Sequence, residues 1–295
     1  MNPVQLSVII VTYNSAEDIE TCLVSLKEAT QQLSIQVIVI DNDSQDDTRN
    51  IVQRIAAWFH NFHFITNNEN RGFTKSVNQG LRISAGEYIL LLNPDTVLPD
   101  SIFSTLFPFF KNDPDIAIVS PQFRNADRSI QPSCRRFPRH RDVFFHLLGL
   151  HLLFPHSAIY NGWKMGDFDH HRDLFVDQPQ GAFLLVNGEA YRQIGLLDES
   201  FPMFFSDVDW CQRFVKKGWK ILFTPKTSII HHKGKSIYKN RVPLIWESHK
   251  SFIRYFRKYY QGAFMNDITA GALIITAGLR IGLSWVYQKL ARMNK

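Results

Sequence analysis

The stretch Tyr88-Ile89-Leu90-Leu91-Leu92-Asn93-Pro94-Asp95-Thr96 frames the rest of the chain. Its apolar run, closed by Asn-Pro, reads as a buried strand ended by a turn. Strands of this kind belong to parallel sheets covered by helices on both faces. Asp95 follows at the strand's carboxyl end, the place where open α/β sheets bind ligands. There a carboxylate can hold a hard divalent cation, and such a cation usually brings phosphate oxygens with it. Taken alone, Asp95 could as well cap a turn before a helix beginning near Pro99.

Working outward, strand and helix patterns alternate over the first 120 residues. Residues 4–11 form a β-branched run, and Ile19, Leu23 and Leu26 recur at helical spacing after Ser15, which suits a cap. Residues 35–40 give a second buried strand, then Ile51, Ile55 and Trp58 share a helical face. A third strand is expected near 62–66, a helix around Val77 and Leu81, and a fifth strand at 116–119. Such alternation implies a mostly parallel sheet with helices on both sides. From Pro121 the rhythm breaks into a Pro- and Arg-rich stretch and an apolar run at 144–154. Residues 182–186, 220–223 and 227–231 then read as strands, and 207–217 as a helix stopped by Gly218.

Bulk composition fits this picture. The 295 residues are 45% hydrophobic and 20% charged, which supports one or two packed domains and excludes a disordered chain. Cys22, Cys134 and Cys211 stand far apart without CxxC spacing. They argue against a disulfide framework or a zinc site and fit a reducing compartment. No charged n-region and apolar h-region opens the chain, so no cleaved signal peptide is expected. The net charge of +6 favours anionic partners, and Arg124, Arg128, Arg135, Arg136, Arg139 and Arg141 crowd one segment. A second basic stretch runs over 233–258. No nucleic-acid module signature is visible, so no nucleic-acid partner is expected.

Residues 268–279 are nearly uncharged before Arg280 interrupts them, short of the ~20 apolar residues that cross a bilayer cleanly. The flanking Arg254, Arg257, Lys258, Lys289, Arg292 and Lys295, with Trp285 and Tyr287, suit a helix at a membrane interface. Packing against the core or crossing the membrane are the other two options.

Several ordered blocks over roughly residues 5–240 resemble a family 2 glycosyltransferase of the GT-A fold, closest to bacterial rhamnosyltransferase-like members. They begin with Ser7-Val8-Ile9-Ile10-Val11-Thr12-Tyr13-Asn14, Val39-Ile40-Asp41-Asn42-Asp43-Ser44, Asn70-Arg71-Gly72-Phe73 and Asn78-Gln79-Gly80. Leu92-Asn93-Pro94-Asp95, Gln131-Pro132-Ser133, Arg136-Phe137-Pro138 and Gly181-Ala182 continue the series. Leu197-Asp198-Glu199-Ser200-Phe201, Ser206-Asp207-Val208-Asp209 and His231-His232-Lys233-Gly234-Lys235-Ser236 complete it. The resemblance divides the chain into a nucleotide-sugar-binding half (1–120), an acceptor-binding and catalytic half (121–240) and a helical membrane-associating extension (241–295).

The resemblance also implies roles. Thr12, Tyr13, Asn14, Asp41 and Asn42 would hold base and ribose, since a carboxylate can accept a base N–H or a ribose hydroxyl. Gly72 and Asn78 would lie close to the nucleotide, where glycine lets backbone approach a ligand. Asn93-Pro94-Asp95 matches the family's DxD-like element with its first acid replaced, leaving Asp95 as the acidic ligand for Mg²⁺ or Mn²⁺. His231 would complete the metal shell or touch the phosphates, and adjacent strand residues face opposite ways, so His232 would not join it. Gln131 and Arg136, with Arg135, would cover the donor or approach an acceptor diphosphate, as the arginine fork suits phosphate oxygens. Gly181 would line the site. Asp207, at a helix start where Ser206 replaces the usual Glu, would be the general base, with Asp209 supporting it. The same acids would also suit the positive end of a helix.

These roles imply an inverting, metal-dependent single displacement with dTDP-L-rhamnose as donor. The acceptor would be a polysaccharide or polyprenyl-diphosphate-linked glycan, and the protein peripheral at the cytoplasmic face of a bacterial inner membrane. Galactofuranosyl and hexosyl transferases share most of these blocks. A pyrophosphorylase would want a glycine-rich loop after the first strand, which Thr12-Tyr13-Asn14-Ser15 lacks. A silent nucleotide-sugar-binding scaffold is the non-enzymatic alternative, suggested by Asn93 and Ser206.

Overall fold

The structure, a computed structural model, describes residues 3–232 and 241–293, with side chains placed for 3–232 and 243–282. A ten-stranded sheet forms its centre. Its first four parallel strands are β1 (Leu6–Thr12), β2 (Ile35–Asp41), β3 (Phe62–Thr66) and β4 (Tyr88–Leu92). β5 (Thr96–Val97), β6 (Ile116–Arg124), β11 (Phe183–Asn187) and β12 (Lys220–His231) complete the order β3-β2-β1-β4-β11-β6-β12-β5. β11 runs antiparallel to both β4 and β6. β7 (Ile130–Gln131) pairs with β6, and β9 (Leu174–Phe175) with β12. A separate ribbon joins β8 (Cys134–Arg135) to β10 (Gln178–Pro179). The expected α/β class, a central sheet flanked by helices, is the one observed; the sheet is mixed, parallel over β3-β2-β1-β4 and β6-β12 and antiparallel at β11 and at the short strands β5, β7 and β9.

Alternation along β1 sorts the core into two layers. Val8 and Ile10 pack with α1 (Ile19–Ala29), α2 (Thr48–Ala56) and α4 (Ile102–Asn112). Ile9 faces the other way, toward α3 (Phe73–Ile83), α7 (Gly188–Ile194) and α8 (Ser206–Lys216). A third cluster joins α5 (His140–Leu147) and the start of α8 to the C-terminal helices α9 (Arg241–Tyr259) and α10 (Ala263–Met293).

Three local expectations are corrected. Helix α1 starts at Ile19 with Asp18 as its cap residue, while the Ser15 carbonyl accepts from Asp18 and Ile19 N–H. The fifth strand continues through Pro121 to Arg124, because its parallel neighbour β12 carries the irregularity itself, between Thr224 and Ser228. For the same reason 220–223 and 227–231 are one strand, with the register shift absorbing Pro225. The apolar run at 144–154, whose burial the sequence leaves open, is partly surface: α5 and the short α6 (Leu150–Leu153) leave Leu148, Leu152 and Leu153 70%, 73% and 71% exposed.

The C-terminal helix exceeds expectation. Ala263–Gly282 is long and apolar enough, by length and composition, to cross a membrane. His140 Nδ1 on α5 meets Thr269 Oγ1 on α10 at 2.8 Å, tying the two elements side by side. Trp285, Tyr287, Lys289 and Arg292 lie outside the described side chains, and Lys295 outside the described residues.

Candidate active site

Residues far apart in sequence meet at the carboxyl edge of β4. After the Asn93-Pro94-Asp95 turn, β5 pairs antiparallel with the end of β12, placing Thr96 opposite His231. The Asp95 carbonyl accepts from His232 N–H at 2.8 Å, and His231 Nε2 stands 3.5 Å from Asp95 Oδ1. His231 Nδ1 lies 2.7 Å from Gln131 Oε1. The Gln131 amide nitrogen donates to Asn125 Oδ1 (2.8 Å) and to the His231 carbonyl (3.2 Å), so its oxygen must be the atom facing the imidazole. Nδ1 therefore carries the proton, and a neutral ring turns the Nε2 lone pair toward Asp95.

Asp95 Oδ1 is buried without a hydrogen-bond partner. An imidazole nitrogen and an orphaned carboxylate oxygen facing each other are suited to Mn²⁺ or Mg²⁺. Among the described residues no group of three or more His, Cys, Asp or Glu gathers to hold a metal ion. Asp95 and His231 thus offer two ligands and leave the others to substrate oxygens or water. Lys233, Gly234, Lys235 and Ser236 lie outside the described residues.

Asp207 opens helix α8 beside this edge. A cavity of about 200 Å³ is lined by Asp207, Asn93, Gly181, Phe73, Leu91 and Trp210, among others. Asn93 N–H donates to the Ala182 carbonyl (2.9 Å), fixing the β4 turn against the Gly181-Ala182 turn that leads into β11. Asp207 Oδ2 accepts from Gly181 N–H (3.2 Å) and Gln178 Nε2 (3.1 Å), and Oδ1 from Val208 N–H (2.9 Å). A Cβ at position 181 would stand 3.0 Å from Asp207 Oδ2, tighter than most contacts, so the glycine gives the carboxylate its room. Burial raises the Asp207 pKa, and the three hydrogen bonds pull the other way without cancelling it.

The expected nucleotide end is a knot of saturated polar groups. Asp41 is fully buried and accepts from Thr12 Oγ1 (3.1 Å), Ser44 N–H (3.0 Å) and Arg49 Nε (2.6 Å). Asn42 donates to Asn70 Oδ1 and accepts from Asn67 Nδ2 and Arg71 N–H. Asn14, with φ 51°, donates its N–H to Ser44 Oγ and accepts from Gln45 N–H. Tyr13 N–H donates to Ser15 Oγ at 3.3 Å. Gly72 takes φ 82° where Thr74 N–H and Oγ1 clasp the Pro202 and Phe201 carbonyls, roofing the site with Phe73.

Three expected substrate contacts are occupied elsewhere. Both ends of the Asn78 amide bind the Leu197 backbone. Arg136 forks onto Asp167 at 2.9 and 3.1 Å and reaches the Gly162 carbonyl. Asp209 lies two residues after Asp207, hence about 200° around the helix. It faces away from the cavity, fully buried against Arg213 (3.0 Å), Lys258 (2.5 Å) and Tyr259 Oη (2.6 Å). Sequence reasoning missed Arg49 and Gln178. Arg49 opens the helix that follows β2, and only the fold turns it back onto Asp41, while Gln178 reaches Asp207 only through the β8–β10 ribbon.

The comparisons agree with this architecture. The sequence model of Glycosyl transferase family 2 matches residues 7–175. The chain is 27% identical over 263 residues, 83% of its length and 82% of the relative's, to the N-acetylglucosaminyl-diphospho-decaprenol L-rhamnosyltransferase of Mycobacterium tuberculosis (strain H37Rv). It is 24% identical over 232 residues, 77% and 67% of the two chains, to the low-salt glycan biosynthesis hexosyltransferase Agl10 of Haloferax volcanii. Among solved structures, the mannosyltransferase PcManGT from Pyrobaculum calidifontis, in complex with GDP-Man and Mn²⁺, superposes with TM-score 0.58 at 16% identity, covering 99% of this chain and 82% of its own.

Proposed function

The chain belongs to glycosyl transferase family 2 and is a glycosyltransferase; from that premise we propose that it moves L-rhamnose from dTDP-L-rhamnose, with inversion, onto a lipid-diphosphate-linked glycan. One observation carries the reading: the cavity that holds Asp207 is walled by Asn93, two residues before the metal-suited Asp95. An acid able to take a proton therefore stands beside a place for the diphosphate. The likeness to the mycobacterial rhamnosyltransferase supports the donor and the acceptor class.

In this mechanism Asp207 takes the acceptor hydroxyl's proton as the oxygen attacks the anomeric carbon. Gly181 N–H and Gln178 hold the carboxylate so that it meets the hydroxyl in one orientation. Asp95 and His231 would hold Mg²⁺ or Mn²⁺, which when bound stabilises charge on the departing nucleotide diphosphate. Gln131 keeps the imidazole in the tautomer that offers Nε2. Thr12, Asp41 and Asn42 shape the wall for base and ribose by fixing the loops after β1 and β2, and Arg49 neutralises Asp41 within it.

The test is release of nucleoside diphosphate from a panel of sugar nucleotides, with Mn²⁺ and a short prenyl-diphosphate-linked glycan. Metal-dependent turnover preferring dTDP-L-rhamnose supports the reading. A hexose donor preferred over it would overturn the sugar assignment, and donor binding without turnover on any acceptor would favour a silent scaffold.

A further inference from the structure

A second cavity, of about 670 Å³, adjoins the end of α6, with Pro132, Arg135, His156, Lys164 and Asp167 in its wall. Arg135 is the informative member. Its guanidinium donates to the Cys134 and Pro132 carbonyls at 2.7 and 3.4 Å, and among the described residues it meets no carboxylate. Asp167, on the same wall, is already neutralised by the Arg136 fork. Asp169, the other acid there, accepts from His171 N–H at the exposed surface. Burial lowers the Arg135 pKa, so this is a cation held partly out of water with carbonyls for company.

Its position ties it to the catalytic acid. Arg135 pairs directly opposite Gln178 in the β8–β10 ribbon, and residues opposite each other in an antiparallel pair share a face. Gln178 is the residue that donates to Asp207 Oδ2. The guanidinium and the base thus lie on one side of the ribbon. At the far rim, Pro155 and His156 follow directly on the shelf where Leu152, Leu153 and Phe154 are exposed. Base, half-buried cation and apolar shelf follow one another along the ribbon and the cavity wall.

We propose that this cavity is the subsite for the diphosphate of a lipid-linked acceptor, gripped by Arg135, with the prenyl chain laid over the α6 leucines. The assignment rests on the lipid-diphosphate acceptor proposed above. It adds where that group binds, and it makes Arg135 a substrate-binding residue for the acceptor and not for the donor. The fork geometry of arginine suits two oxygens of a diphosphate, and a lysine would supply only a point charge.

Titration calorimetry with farnesyl diphosphate tests it, alongside farnesol, inorganic diphosphate, dTDP and phosphatidylglycerol vesicles. Wild type is expected to bind farnesyl diphosphate, Arg135→Gln at least tenfold more weakly, and Arg135→Lys in between. Lys164→Gln serves as a second variant should the first lose its thermal transition, with a weakening of several-fold expected. Leu152→Ser with Leu153→Ser should weaken farnesyl diphosphate but leave inorganic diphosphate unchanged. Equal farnesyl diphosphate binding by Arg135→Gln and wild type would overturn the subsite and leave the acceptor reading standing. Loss of dTDP binding in Arg135→Gln would overturn it too, by moving the arginine to the donor. Competition by phosphatidylglycerol vesicles would reassign the cavity to a phospholipid headgroup. Turnover by a wild type that binds no prenyl diphosphate would instead defeat the acceptor reading itself.

Discussion

In the role of general base proposed for it, Asp207 is where the demands of folding and of proton transfer oppose each other. Burial favours the protonated acid, yet a general base must be ionised to act. Activity is therefore lost as pH falls through a pKa raised above the usual carboxylate range, and the acid limb of kcat/KM should lie correspondingly high. Stability runs the other way: with the folded pKa above the unfolded one, the contribution is present below the unfolded value and lost as pH rises through the folded one. We expect Asp207→Asn to cut turnover by about 10²–10⁴-fold. In paired thermal melts, wild type should gain on this variant as the buffer is made more acidic, and a constant difference would contradict the raised pKa. A second prediction concerns Gln131, which fixes the His231 proton: Gln131→Leu should weaken Mn²⁺ binding by about 10–100-fold in calorimetry. Unchanged affinity would show that the imidazole needs no such partner. Asp207, Asp95 and His231 could be picked from the sequence because each sits in a short block whose order is informative. Asp41 and Asp209 could not be read fully, since Arg49, Lys258 and Tyr259 saturate them only once the chain is folded.

Among the elements, α8 and α9 are joined by charge. Lys258 reaches Asp209 and Asp198 at 2.5 and 2.6 Å, and Tyr259 Oη reaches Asp209 at 2.6 Å. Burial alone would raise the Asp198 pKa, but the Lys258 and Ser200 hydrogen bonds override it and hold the group at about 2. Lys258→Ala leaves the buried Asp209 carboxylate with one cation fewer, and a loss of about 2 kcal/mol in urea unfolding is expected. A wild-type midpoint would show that Arg213 and Tyr259 suffice. The strands and helices of the first half followed from periodicity because each is buried on a predictable side. Legibility failed at Pro225, whose break in the pattern hides a continuous strand, and stopped short at residues 144–154, where apolarity alone does not say which side faces solvent. The two-residue strands β7, β8 and β10 carry no periodicity at all, yet they place Gln131, Arg135 and Gln178.

The whole molecule presents apolar surface on two neighbouring elements. Leu148, Leu152 and Leu153 stand out from the α5–α6 segment, and Phe264, Ile275 and Leu279 from α10, which His140 and Thr269 tie to α5. We expect both to meet a lipid surface, so removal of residues after Gly262 should reduce flotation with anionic vesicles without abolishing it. Complete loss would assign membrane contact to α10 alone. Undiminished flotation would assign it to the leucines alone.

The bond between Asp209 and the Lys258–Tyr259 pair has a mechanical corollary. The helix turn that carries Asp207 is bolted, on its opposite side, to the segment leading into α10. Loosen that bolt, and the carboxylate loses its fixed bearing on the cavity.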